Sequence, residues 1–422
     1  MNRRQLLKLA GAGALTLAAR PLVGLLEGTA RAASASRPRF FLQIIPSGGI
    51  DAVYGADPKT RHGVEHGIDV PYAAKDIVTT RQAPLGPAFK ALAPWMPRLA
   101  IVNSFRQNSA NHQSGLVHTT CCRATSVSGT PTLLDVLGAR RTEGAVGAIT
   151  IGTAFAAAFS PKYLGEPTTV QFGDKPGLLA HLDKLDPHEL SQAAAALRRE
   201  ADSLAATTAP GSQADVTAGN LRESGALLDG WASSPKFAPS AWPLQWEDDE
   251  KAGRDLERAL WLFENRLARC VTVSVTGQDY DTHIWNEIWQ PRLGGYLAGL
   301  LDRLFHELDR RRVDGQPMSQ QTVVFVGSEI GRFPRLNAAN GKDHFPQVSY
   351  LFFGPWFATG HAYGGTDRQM VAQPISLATG RPEAGGHTLA VDDIGTTLLR
   401  LDGATPEVYG YAGAHLDFLT DR

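Results

Sequence analysis

The sequence predicts an α/β protein: a mostly parallel sheet sandwiched by helices, with a helical insertion. Short β-branched and apolar runs alternate with stretches of helical periodicity. Acidic or histidine-bearing turns directly follow several of those runs, and one long Ala/Leu/Glu/Arg-rich stretch breaks the rhythm. In an open α/β sheet the loops at the carboxyl ends of the strands meet over one crevice, so these turns are expected to converge there.

Residues 1–35 read as an address. Asn2-Arg3-Arg4-Gln5-Leu6-Leu7-Lys8 is a twin-arginine start, followed by weakly apolar Leu9 to Ala19 and by small-residue cleavage options at Ala30-Arg31-Ala32 and Ala33-Ser34-Ala35. Arg20 and Pro21 interrupt the apolar run well before the roughly 20 residues a membrane span needs, so no stable membrane anchor is expected. The expectation is passage through the twin-arginine translocase to the periplasm or beyond. Five of the 41 basic residues and one of the 42 acidic ones lie in this leader, which leaves the remainder at a formal net charge of −5 and gives nucleic acid no basic surface.

Beyond the leader, Arg39 to Ile45 reads as the first strand, closed by Pro46-Ser47-Gly48-Gly49 and then Asp51. Leu99 to Ser104 reads as another, with Ala148 to Gly152 and Thr168 to Phe172 as short ones. Residues 178–246 form the expected insertion, helical to about Trp231 and broken at 207–212. A helix over Glu250 to Arg269 carries Leu256, Leu260, Phe263 and Leu267 at helical spacing. Val271, Val273 and Val275 then switch the period to two. A helix from about Trp289 to Arg312 precedes the strand Thr322 to Val326. The cysteines make a poor disulfide framework, since Cys121 and Cys122 are neighbours, and buried thiols are expected.

Three candidate ligand groups sit at strand exits, Asp51, the cluster of Asp279, Asp281 and His283, and Glu329, and Asp343 with His344 follow the last of them. Asp281-Thr282-His283 offers a carboxylate and an imidazole in one tight turn, a set acceptable to Zn, Mn or Fe and less natural for Ca. Asp279 competes with Asp281 as the ligand. Asp343-His344 reads as a further metal-site pair, with the carboxylate orienting the ring of a ligating His344, or else His344 is a satisfied core histidine. Each acid alone has a plainer reading as a turn former or helix cap; their joint placement is what argues for one or two divalent ions.

Three segments together carry a family resemblance: Leu256 to His283, Ser328-Glu329-Ile330-Gly331-Arg332, and Asn340-Gly341-Lys342-Asp343-His344-Phe345-Pro346 followed by an apolar strand and Gly364-Gly365-Thr366-Asp367. They resemble the exported bacterial family known as domain of unknown function 1501, similar in turn to the alkaline phosphatase and sulfatase superfamily. The resemblance implies an alkaline phosphatase-like fold, a two-metal scaffold and an anionic ester substrate. By position it makes Asp51 the early aspartate, Asp281 and His283 the middle ligands, Glu329 the later acid and His344 the last histidine.

The chain departs from that superfamily in three ways. The middle pair is spaced by two instead of four, an interval only Asp279 to His283 has, and Glu329 is followed by Ile330 where a histidine is usual. The nucleophile slot at a helix start holds Asn111 or His112 instead of Ser, Thr or Cys, with Ser109 expected as the helix cap. His112 is therefore a nucleophile or a metal ligand, or water attacks directly, or the chemistry is lost. The leading expectation is phosphate- or sulfate-ester hydrolysis; the alternative is a non-catalytic binding or matrix-assembly protein on the same scaffold.

Overall fold

The structure is a computed structural model that describes residues 37–80, 83–127, 130–141, 143–152, 169–172, 182–240, 242, 250–275 and 280–420. The leader, Asp279 and both ends of the insertion lie outside the described residues. Arg37 apart, the described residues belong to one unit, Pro38–Arg422.

The main sheet has eight strands: β1 (Phe40–Pro46), β2 (Leu99–Arg106), β3 (Val146–Ile151), β4 (Thr169–Phe172), β5 (Ala268–Val275), β6 (Thr322–Gly327), β7 (Gln347–Phe353) and β8 (His361–Tyr363). Their spatial order is β8-β2-β7-β6-β1-β5-β3-β4. Only the two pairings of β7, with β6 and with β2, are antiparallel. Every other pairing is parallel, so β7 alone runs against the rest.

Strands β1, β3, β5 and β6 are buried on both faces, the condition of a parallel sheet covered by helices on each side. In β1, Phe40, Leu42 and Ile44 join one core while Phe41 joins the other; β6 divides likewise, Val324 and Val326 against Val323 and Phe325. The first core receives α5 (Glu250–Glu264) through Leu256, Leu260 and Phe263, and α6 (Asn286–Arg310) through Leu293, Leu297, Leu301 and Leu304. The second receives α2 (Leu133–Ala139) through Leu133, Leu134 and Leu137, and α7 (Val391–Leu401) through Ile394, Leu398 and Leu399. Each such side chain contributes roughly 1.5–3 kcal/mol of burial.

Several expected boundaries move. α5 ends at Glu264 instead of Arg269, because Arg266 adopts a positive φ of 56° and the chain enters β5 at Ala268. α6 begins at Asn286, three residues before Trp289, capped by Trp285 in the left-handed region. Within the insertion, α3 (Pro187–Thr207) starts from an Asp186 cap with Pro187 in its first turn and Glu189 closing a capping box, and α4 (Gln213–Ser233) starts from Ser212. Leu190, Leu227 and Trp231 tie both to the first core.

The three thiols are free and buried, and burial pushes Cys121 up to about 11 and Cys270 to about 12. Neither is poised as a nucleophile. No helix among the described residues is long and apolar enough to cross a membrane.

Candidate metal centre

Four loops meet at one edge of the sheet. The exits of β1, β2, β5 and β6 supply Gly48 to Asp51, His112, Asp281 with His283, and Glu329. His344 arrives differently: it immediately precedes β7, and because β7 is reversed, its beginning lies at the edge where its neighbours end.

Close backbone approaches weld these loops together. A Cβ on Gly115, in the first turns of α1 (His112–Cys121), would lie 2.4 Å from the Glu329 carbonyl oxygen. One on Gly341 would lie 1.9 Å from the His283 carbonyl group. Glycine is needed at both places for contact, not for turning. The buried Arg332 guanidinium clamps the junction, donating to Gly49 O at 3.2 Å, to Lys342 O at 2.9 Å, to Gly48 O, and to Asp281 Oδ1 at 2.5 Å.

At the centre three imidazoles face one carboxylate. His112 Nε2 lies 3.2 Å from Asp281 Oδ2; His283 Nε2 and His344 Nε2 lie 3.2 and 3.3 Å from Asp281 Oδ1 and 2.8 Å from each other. Ligand atoms of His112, Asp281 and His344 all fall within 4.8 Å of one another. Behind each ring an acceptor holds the other nitrogen: Glu329 Oε1 on His112 Nδ1 at 2.8 Å, Asp343 Oδ1 on His283 Nδ1 at 3.2 Å, and Ala110 O on His344 Nδ1 at 2.7 Å. This network assigns the proton to Nδ1 in each neutral ring and turns each Nε2 lone pair inward, the usual arrangement of metal-binding histidines.

Without a cation the cluster compensates by protonation. Burial alone would lower the His112 pKa, but Asp281 and Glu329 outweigh it and lift it to about 9. Asp281 moves the opposite way: burial would raise it, and His112 and Arg332 hold it well below the usual carboxylate range.

The sequence matches the family described as protein of unknown function, DUF1501, over residues 41–413. The chain belongs to that family. No curated protein sequence matches it. Solved structures align over most of its length at low similarity. The lipoteichoic acid synthase LtaP from Listeria monocytogenes is 10% identical at a TM-score of 0.42, covering 92% of this chain and 77% of its own. A protein in the alkaline phosphatase superfamily from Vibrio parahaemolyticus is 11% identical at 0.41, covering 90% and 70%. TAB5 alkaline phosphatase with Mg bound is 8% identical at 0.40, covering 88% and 100%. At these values no activity or residue role transfers.

In this member of the family the expected ligands separate. His112, Asp281, His283 and His344 come together. Glu329, fully buried, stands one step back: its Oε1 takes both the Gly48 amide at 2.7 Å and the His112 ring, and Ser328 Oγ donates to its Oε2 at 2.9 Å. Asp343 backs His283 instead of the expected His344, because the chain folds His283 against the 337–343 loop, where Asn337 also donates to Asp343.

Asp51 does not reach the rings. Its carboxylate accepts from the Lys342 ammonium at 2.7 Å, Asn286 Nδ2 at 3.0 Å and Val53 N at 3.2 Å. Asn111, not Ser109, caps α1, its Oδ1 accepting from Ser114 N at 3.2 Å; Ser109 Oγ accepts from Asn111 N instead. Sequence reasoning gave no role to Arg332, Lys342 or the Ala110 carbonyl. Arg332 had a signal, an arginine inside a strand-exit motif beside acids.

Proposed function

We propose that this protein is an exported, metal-dependent hydrolase of phosphate or sulfate esters, working at His112, Asp281, His283 and His344. The observation that carries the reading is the orientation of the rings: three imidazole Nε2 atoms and the Asp281 carboxylate converge, with Arg332 holding one carboxylate oxygen. Two neutral imidazole nitrogens 2.8 Å apart repel unless a cation or a shared proton lies between them. The nitrogen-rich donor set fits Zn, Mn or Fe better than Ca. When bound, such an ion supplies Lewis acidity to an ester oxygen and to water.

The chain's own groups do the rest. Glu329, Asp343 and Ala110 O fix ring direction, and Arg332 fixes Asp281. His112 opens α1, so the positive end of that helix faces the crevice and favours an anionic ester. Ile284, Trp285, Ile288 and Trp289, all exposed, begin one residue past His283 and offer a surface for an apolar part of the substrate.

Three hydroxyls of the 109–120 segment are turned to other partners. Thr120 Oγ1 bonds back to Leu116 O at 2.8 Å, Thr119 is buried toward Gln107 and Ser328 O, and Ser109 is spent on Asn111. Glu329 holds His112 Nδ1, and Nε2 turns to the centre beside Asp281; read as a ligand there, His112 leaves water to attack. The engagement of those hydroxyls favours, as a second reading, a binding scaffold that keeps the metal and has lost turnover.

Metal analysis of protein purified without chelator, paired with aryl phosphates and sulfates, separates the two. The hydrolase reading expects chelator-sensitive turnover, with both metal and turnover lost in His344→Ala. Unchanged metal content in both His283→Ala and His344→Ala removes the metal centre; a metal-loaded parent inert to every ester leaves the scaffold.

A further inference from the structure

A buried ammonium occupies the place where the resemblance expects a cation. Lys342 Nζ lies 2.7 Å from Asp51 Oδ2 and 3.1 Å from Asp69 Oδ2, with the lysine side chain 0% exposed and the two carboxylates 3% and 8%. The backbone that carries it is pinned on both sides. The Lys342 amide donates to Thr282 O at 3.0 Å, and its carbonyl accepts from Arg332 Nη1 at 2.9 Å. Asn286, also wholly buried, completes the shell by donating to Asp51 and accepting from Thr282 Oγ1 at 2.6 Å.

We propose that the Lys342 ammonium is a built-in substitute for a second cation at Asp51, so that this protein takes one divalent ion and not two. A metal ion bound to Asp51 would sit about 2.0–2.6 Å from a carboxylate oxygen. The ammonium already touches that oxygen, and two cations cannot share it in a site from which water is excluded. Removing the ammonium leaves the carboxylate oxygens of Asp51 and Asp69 without a counter-charge, and carboxylate oxygen is the donor that hard cations such as Mn²⁺ prefer. The count of one rests on the imidazole cluster being the metal centre.

Ion counting on the whole exported chain, by native mass spectrometry after equilibration with Mn²⁺ or Zn²⁺, tests this. One ion per chain in the parent and a second ion in Lys342→Ala are the expected results. Two ions in the parent, or no gain in Lys342→Ala, overturn the proposal. If Lys342→Ala fails to fold, Asp51→Asn decides, since it keeps shape and removes charge: an unchanged ion count supports the substitute, and the loss of an ion overturns it. A parent with no ion beside a Lys342→Ala variant with one supports the lysine's role while sinking the imidazole centre.

Discussion

Two charged clusters share the same loops and end differently. In the imidazole cluster the rings are partly open, 16%, 43% and 22% exposed for His112, His283 and His344, and acceptors outnumber donors. In the Asp51 cluster the side chains of Asp51, Asp69 and Lys342 are buried, and the ammonium lies within reach of both carboxylates. Lys342 and His344, two positions apart on one loop, enter the two clusters separately. One cluster has its cation built in and sealed from solvent; the other keeps its rings partly open to solvent, with their Nε2 atoms turned to a common centre.

The largest expected effect breaks the sealed cluster. Lys342→Met, in metal-free protein, strands Asp51 and Asp69 without a counter-charge and should cost about 3–5 kcal/mol in denaturant unfolding. Equal stability of variant and parent would mean the ammonium is dispensable there.

A smaller effect sharpens the imidazole cluster through pH. His112 is raised above its ordinary value by Asp281 and Glu329, so in the metal-free chain its contribution to stability is complete below about 6.5 and is lost as pH rises through about 9. Metal binding needs the neutral ring, so affinity should climb about tenfold per pH unit until about pH 9 and then flatten on this account. Glu329→Gln should lower the His112 pKa in an NMR titration, shift that plateau to lower pH, and weaken binding about 10–100-fold. A plateau that stays at the same pH in the variant would dissociate Glu329 from His112.

The smallest effect belongs to Asp343. Its side chain is 62% exposed, so Asp343→Ala should leave the melting temperature unchanged and weaken metal binding by less than about tenfold in calorimetry. A larger loss would make Asp343 a ligand in its own right.

The fold was largely legible from sequence because it is written in local patterns. Phe40–Pro46, Leu99–Arg106 and Thr322–Gly327 are near-continuous apolar runs, and the switch from Leu256, Leu260 and Phe263 to Val271, Val273 and Val275 marks α5 and β5 without tertiary help. Of the inward groups of the site, His112, Asp281 and His283 were visible as residues following strands, and His344 as part of the Asp343-His344 motif ahead of an apolar strand. Their pairings were not. Asp51 meets Lys342 across 291 positions, and Glu329 meets His112 across 217, so register alone decides which acid backs which ring. Nothing local distinguishes Asp343 behind His283 from Asp343 behind His344.

The reversal of β7 sets how rigidly the cluster is held. A parallel successor to β6 would need a crossover of a dozen or more residues and would start at the far end of the sheet, taking His344 with it. Here the chain makes a U-turn through residues 328–346, anchored by β6 at one end and β7 at the other, with Gly331–Arg332 paired to His344–Phe345 between them. The loop is a bridge with two abutments, not a flap. Moving His344 off the cluster means unzipping Arg332 from it, and Arg332 is the clamp on Asp281. Amides of Gly331 and Phe345 should therefore exchange with solvent only on the slow timescale of the sheet itself, and ligand entry must proceed without the loop lifting.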